Sequence, residues 1–135
     1  MRKGLILTMA FVLMFGMLLF AGDKGEQKTL KGTLSCLGCD LKKDAGANAQ
    51  CKIYGHDHAL KLKDGSYVSF FENDHSEVLI SANKGEWHGS GIAVSGKFID
   101  KANVIDVKSF EIKDKNYSWC GGCKNMGQCQ GGHGH

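Results

Sequence analysis

The chain reads as mainly β: a small five-stranded OB-like Greek-key barrel with one short helix between strands 3 and 4, followed by a flexible Cys/Gly/His tail. Three observations lead there. Short apolar alternations recur through residues 29–113, Asp64-Gly65 separates two of them as a hairpin signal, and a single helical stretch interrupts the series. The order strand-strand-strand-helix-strand-strand is that of the OB-fold, whose near closure leaves little exposed sheet edge.

The elements follow in order. Arg2 and Lys3 precede an uncharged, almost wholly apolar run over residues 5–20, with Ala21 and Gly22 as small residues beyond it. Residues 1–22 are therefore expected to be an export signal, placing the protein in the periplasm. Bulky Leu19 and Phe20 stand where a small residue is preferred, so the alternative is an uncleaved anchor over residues 5–22, holding the domain on the periplasmic face of the inner membrane. The apolar run is not followed directly by a cysteine, which argues against lipoprotein processing.

Residues 23–28 form a polar lead-in. Leu30 and Leu34 mark a first strand over 29–35, and 40–50, with Ala45, Ala47 and Ala49 among polar residues, is a loop or short helix. Strands at 58–63 and 66–72 flank Asp64-Gly65. Asp74-x-x-Glu77 is a helix-capping pattern ahead of Val78, Leu79, Ile80 and Ala82, with Gly85 as the stop. Ile92 and Val94 alternate in a strand over 91–99, where Gly96 suggests a bulge or bend, and Val104, Ile105, Val107, Phe110 and Ile112 carry the last strand over 103–113. The tail occupies residues 114–135.

Formal net charge is +3, from seventeen basic and fourteen acidic residues. Removing Arg2 and Lys3 with residues 1–22 leaves fifteen against fourteen, or +1, so the exported domain has no electrostatic footprint for nucleic acid. A membrane is met only through residues 5–22.

Gly32-Thr33-Leu34, Cys36, Cys51, Ala59-Leu60, Asp64-Gly65, Tyr67-Val68, Val94-Ser95-Gly96 and Ile105-Asp106-Val107 occur in that order. In these features residues 32–112 resemble a group of small exported bacterial proteins of OB-like fold. The resemblance implies the fold and an export context, and it supplies no catalytic residue. The Cys36–Asp40 and Gly55–Ala59 elements stand out as a subgroup signature, and the Cys/His tail departs from the general pattern.

The six cysteines form two triplets, each followed by His-x-His: Cys36, Cys39, Cys51 with His56 and His58, then Cys120, Cys123, Cys129 with His133 and His135. Thiolate and imidazole are ligands that soft and borderline metal ions select. Three thiolates and His56 would complete a tetrahedral site at the barrel rim, with His58 a further ligand or a supporting group. In the tail, Met126 joins Cys120, Cys123 and Cys129 at every third position, ahead of His133 and His135. The ion expected is Cu(I) or Zn(II), and a metal-donor or acceptor protein is the implied partner.

Two alternatives remain open on the sequence. In an oxidising compartment the cysteines could instead form disulfides that brace a binding module, its ligand taken on the face carrying Tyr67 and Phe70. Trp119-Cys120-x-x-Cys123 also resembles a thioredoxin-type redox motif, the one enzyme reading, although the glycine-rich residues after it cannot build the required helix. There is no H-E-x-x-H, nucleophile elbow or phosphate-binding glycine loop, and no catalytic residue is assigned.

Overall fold

The structure is a computed structural model that describes residues 25–127. The expected export segment, and Cys129, His133 and His135, lie outside the described residues.

Five strands close into a barrel. They are β1 (Glu26–Cys36), β2 (His58–Lys61), β3 (Tyr67–Phe70), β4 (Gly91–Ile99) and β5 (Val104–Ile112). Antiparallel ladders join β1 to β2, β2 to β3, β1 to β4 and β4 to β5, and a short parallel pairing of β3 with β5 shuts the ring. Helix α1 (Leu37–Ala45) and the single turn α2 (Cys51–Tyr54) lie between β1 and β2; α3 (Glu77–Ile80) and a 3-10 turn (Ala82–Gly85) lie between β3 and β4. This is the OB-like arrangement expected from the element order.

Alternation along each strand explains the core. Leu34, Leu60, Val68, Val94, Ile105, Val107 and Ile112 point inward and are fully buried, and Leu79 of α3 closes the barrel from below. Trp87 packs edge-on against Phe110, with ring centroids 5.6 Å apart. The expected irregularity at Gly96 is present as a register shift between Ser95 and Gly96. A Cβ at Gly96 would sit 2.1 Å from the Asp106 carbonyl oxygen, so only glycine lets β5 approach there.

Four details differ from the sequence reading. The hairpin between β2 and β3 is a three-residue loop in which only Gly65 has positive φ, because Leu62 pairs with Ser66 and the two-residue turn would need both central residues left-handed. Asp74 does not cap the helix: its N-cap is Ser76, without a side-chain cap, and Asn73 Oδ1 accepts from the backbone N–H groups of His75 and Ser76 in the turn before it. Tyr67 and Phe70 share no face, since residues three apart on a strand point oppositely; Phe70 is 6% exposed in the core and Tyr67 turns its hydroxyl to Asp40. Finally, the start of the tail is ordered into β6 (Lys115–Cys120) and β7 (Asn125–Gly127), which extend the sheet beyond β5.

Candidate metal centre

The residues that make the centre converge through one ladder and one helix start. Cys36 ends β1 and pairs with His58 at the start of β2, so the loop carrying Cys51 and His56 returns to the rim beside it. The Leu37 N–H donates to the Asp57 carbonyl at 3.2 Å and ties the two halves together. Cys36 is the N-cap of α1, which brings Cys39 round one helical turn onto the same side. Gly38 sits between them with no side chain to spare: a Cβ there would come 2.9 Å from Cys51 Sγ.

Cys36, Cys39, Cys51 and His56 each offer a ligand atom, and the four atoms lie within 4.8 Å of one another. The separations are informative. Cys36 Sγ and Cys51 Sγ are 3.7 Å apart, and His56 Nδ1 is 3.4 Å from both Cys36 Sγ and Cys39 Sγ. A tetrahedral zinc ion with Zn–S of about 2.3 Å and Zn–N of about 2.05 Å sets S···S near 3.8 Å and S···N near 3.6 Å. The arrangement can therefore hold a metal ion.

Protonation follows the same geometry. Burial pushes the Cys36 thiol up, yet it is held below its ordinary value overall by the Cys39 backbone N–H, the His56 ring and the neighbouring thiols. That N–H approaches the sulfur too loosely for a capping hydrogen bond but still favours the thiolate. Cys39 is pushed up to about 12, first by sharing hydrogen bonds with Cys36 and Cys51, then by partial burial and their charge. One thiolate forms readily and resists a second, a repulsion that a divalent cation removes.

His58 does not join this set. Its ring is 6% exposed; Nδ1 donates to the Ile80 carbonyl at 3.0 Å and Nε2 meets His88 Nδ1 at 3.0 Å. His56 precedes β2 on a loop and His58 is in the strand; their rings stand 6.4 Å apart, and His56 alone joins the cysteines.

No disulfide links any described cysteine. At 3.7 Å, Cys36 and Cys51 are far outside the S–S bond of about 2.05 Å, so the bracing bridge expected in the alternative reading is not formed.

Cys120 and Cys123 stand at the tip of the β6–β7 hairpin, where the Cys123 N–H donates to Cys120 Sγ at 3.4 Å and the Lys124 N–H to the Cys120 carbonyl at 2.7 Å. Cys120 is buried and Cys123 exposed, its thiol pushed up by Cys120. A hairpin tip lacks the helix start that activates a thioredoxin-type thiol. Met126 pairs with Trp119 across the hairpin and packs against the core cluster.

Two groups escaped the sequence reading. Asp40 Oδ2 accepts from Ser35 Oγ at 2.8 Å, Tyr67 Oη at 2.7 Å and Lys61 Nζ at 3.1 Å, fastening α1 to three strands. His88 reaches His58 from thirty residues away, and nothing local in the sequence marks it.

Comparison with known proteins finds no matching family model, no matching curated protein and no matching solved structure.

Proposed function

We propose that this is an extracytoplasmic metal-binding protein that holds zinc(II) at the rim of its OB-like barrel and buffers the ion or passes it to another protein. The observation that carries the reading is the spacing of Cys36, Cys39, Cys51 and His56: all four ligand atoms lie within 4.8 Å of one another, and the Cys36–Cys51, Cys36–His56 and Cys39–His56 separations of 3.4–3.7 Å are near those of a tetrahedral zinc site. Four converging ligands of this mixed type suit Zn(II) better than Cu(I), which soft sulfur ligands also attract. The basic and apolar N-terminus supports export, and with it a role in capturing ions outside the cytoplasm. Ile53 and Tyr54, 73% and 83% exposed, flank Cys51 and His56 and give a donor or acceptor protein an apolar foothold. The hairpin thiols Cys120 and Cys123, with Cys129, His133 and His135 beyond them, form a separate metal-binding tail in this reading.

Elemental analysis with a free-thiol count on anaerobically purified protein tests it. Wild-type protein is expected to retain zinc, and Cys51→Ser to lose one equivalent while keeping its fold by circular dichroism. Reduced wild-type protein that refuses added Zn(II) and Cu(I) overturns the reading.

A further inference from the structure

Beside the thiolate cluster lies a second cavity wall with its own ligand chemistry. A cavity of about 930 Å³ opens against His56, His58 and His88, and Asp57, Glu72, Asp74 and Glu77 also line it. Among the described residues no lysine or arginine lines this cavity. Four carboxylates, with no cation among the described lining residues, make its interior attractive to positive charge.

The two imidazoles are set as ligands are set. The Ile80 carbonyl can only accept, so the proton of a neutral His58 ring sits on Nδ1 and the Nε2 lone pair faces His88. A backbone carbonyl that fixes the tautomer and aims the other nitrogen is the usual outer support of a metal-bound histidine. His58 Nε2 and His88 Nδ1 are 3.0 Å apart with their rings crossed at 72°. Two nitrogens at about 2.05 Å from one ion stand near 2.9 Å at an octahedral angle and near 3.4 Å at a tetrahedral one. His58 is locked in the wall, whereas His88 is exposed and able to adjust.

We infer that His58 and His88 form a second cation site, built from nitrogen and oxygen, in which a divalent first-row ion is held by the two imidazoles and completed by water. Imidazole and water ligands suit Zn(II), Ni(II) or Co(II). With two fixed protein ligands the site is weaker than the cage. Cys39 and His56 line the same cavity, so an ion held there waits at the mouth of the cage. The site stands whether or not the thiolates hold zinc.

Cobalt(II) is the probe. Full-chain reduced protein is first loaded with zinc until its thiols no longer react, freed of loosely held zinc by gel filtration, then titrated with Co(II) by equilibrium dialysis and visible absorption. Wild-type protein is expected to bind a further Co(II) with weak ligand-field bands and no sulfur-to-cobalt charge-transfer band. His88→Ala, at an exposed position, should weaken that binding at least tenfold with zinc content unchanged. Histidines elsewhere contribute equally to both proteins, so the difference between them reports this site. No extra Co(II) in the wild type, or equal binding by His88→Ala, overturns the inference and leaves the thiolate cage standing. His88-dependent Co(II) binding in protein whose thiols retain no zinc supports the site while overturning the cage.

Discussion

Asp40 follows Cys39 in the chain, and one of its oxygens takes three donors, from Ser35, Lys61 and Tyr67. The Tyr67 hydroxyl is the main cause that lowers its carboxyl to about 2, with Ser35 and Lys61 adding to it and burial opposing. Tyr67 and Asp40 in turn hold Lys61 above its ordinary value. Three donors on one carboxylate fix the first turn of α1 and hence the approach of Cys39 to the cage. Because the folded value lies below the ordinary 3.8, the stabilisation is full above that value and fades as pH falls toward about 2. Asp40→Asn keeps an acceptor but loses the charge, and should cost about 1–2 kcal/mol at pH 7. Urea unfolding of reduced, metal-free wild type and Asp40→Asn at pH 7, 4 and 2.5 checks this: the gap between them should shrink below pH 4. Parallel profiles across that range would show that the charge contributes nothing. The sequence shows Asp40 beside a cysteine and no more, since its three partners come from β1, β2 and β3 and meet only in the closed barrel.

At the scale of elements, the strands that build the barrel were legible because each buries one face and so alternates, and the bend at Gly96 was legible because a glycine inside an alternating strand has few other uses. The hairpin β6–β7 was not. Its glycines suggest a flexible tail, and the countersignal is only Tyr117 and Trp119, two aromatics at a spacing of two. In the structure both have partners: Tyr117 stacks on Phe110 with centroids 4.9 Å apart, and Trp119 stacks on His75 at 4.6 Å. His75 is itself tied to the Val107 carbonyl at 3.1 Å. Trp119→Ala should therefore cost about 1–2 kcal/mol, the stacking together with the buried ring area. Its distinctive effect is local: amide exchange should quicken through residues 115–127 and stay unchanged in β1 and β2. Uniform loss of protection would mean that the hairpin is not a unit of its own.

For the whole molecule, the sequence leaves open whether the two Cys-x-x-Cys turns meet, because it shows two similar clusters and no distance between them. The ladders supply that distance. Ser118 of β6 is level with Ser109 of β5, Val107 with Gly96 of β4, and Gly96 with Lys28 of β1. Cys120, two residues beyond Ser118, therefore lies near the row of Lys28, eight residues before Cys36 on β1. At about 3.3 Å per residue that is a separation of roughly 26 Å along the strand direction. The register thus sets Cys120 eight residues along the path of β1 from Cys36, and the two turns are expected to bind independently. Replacing both, Cys120→Ser with Cys123→Ser, should leave the zinc affinity of the rim cage within twofold of wild type in a chelator competition, and Cys36→Ser should leave the hairpin thiols equally reactive. A tenfold loss of rim affinity in the double variant would mean that the hairpin swings across the barrel to share the ion, and that the ladder to β5 opens to let it.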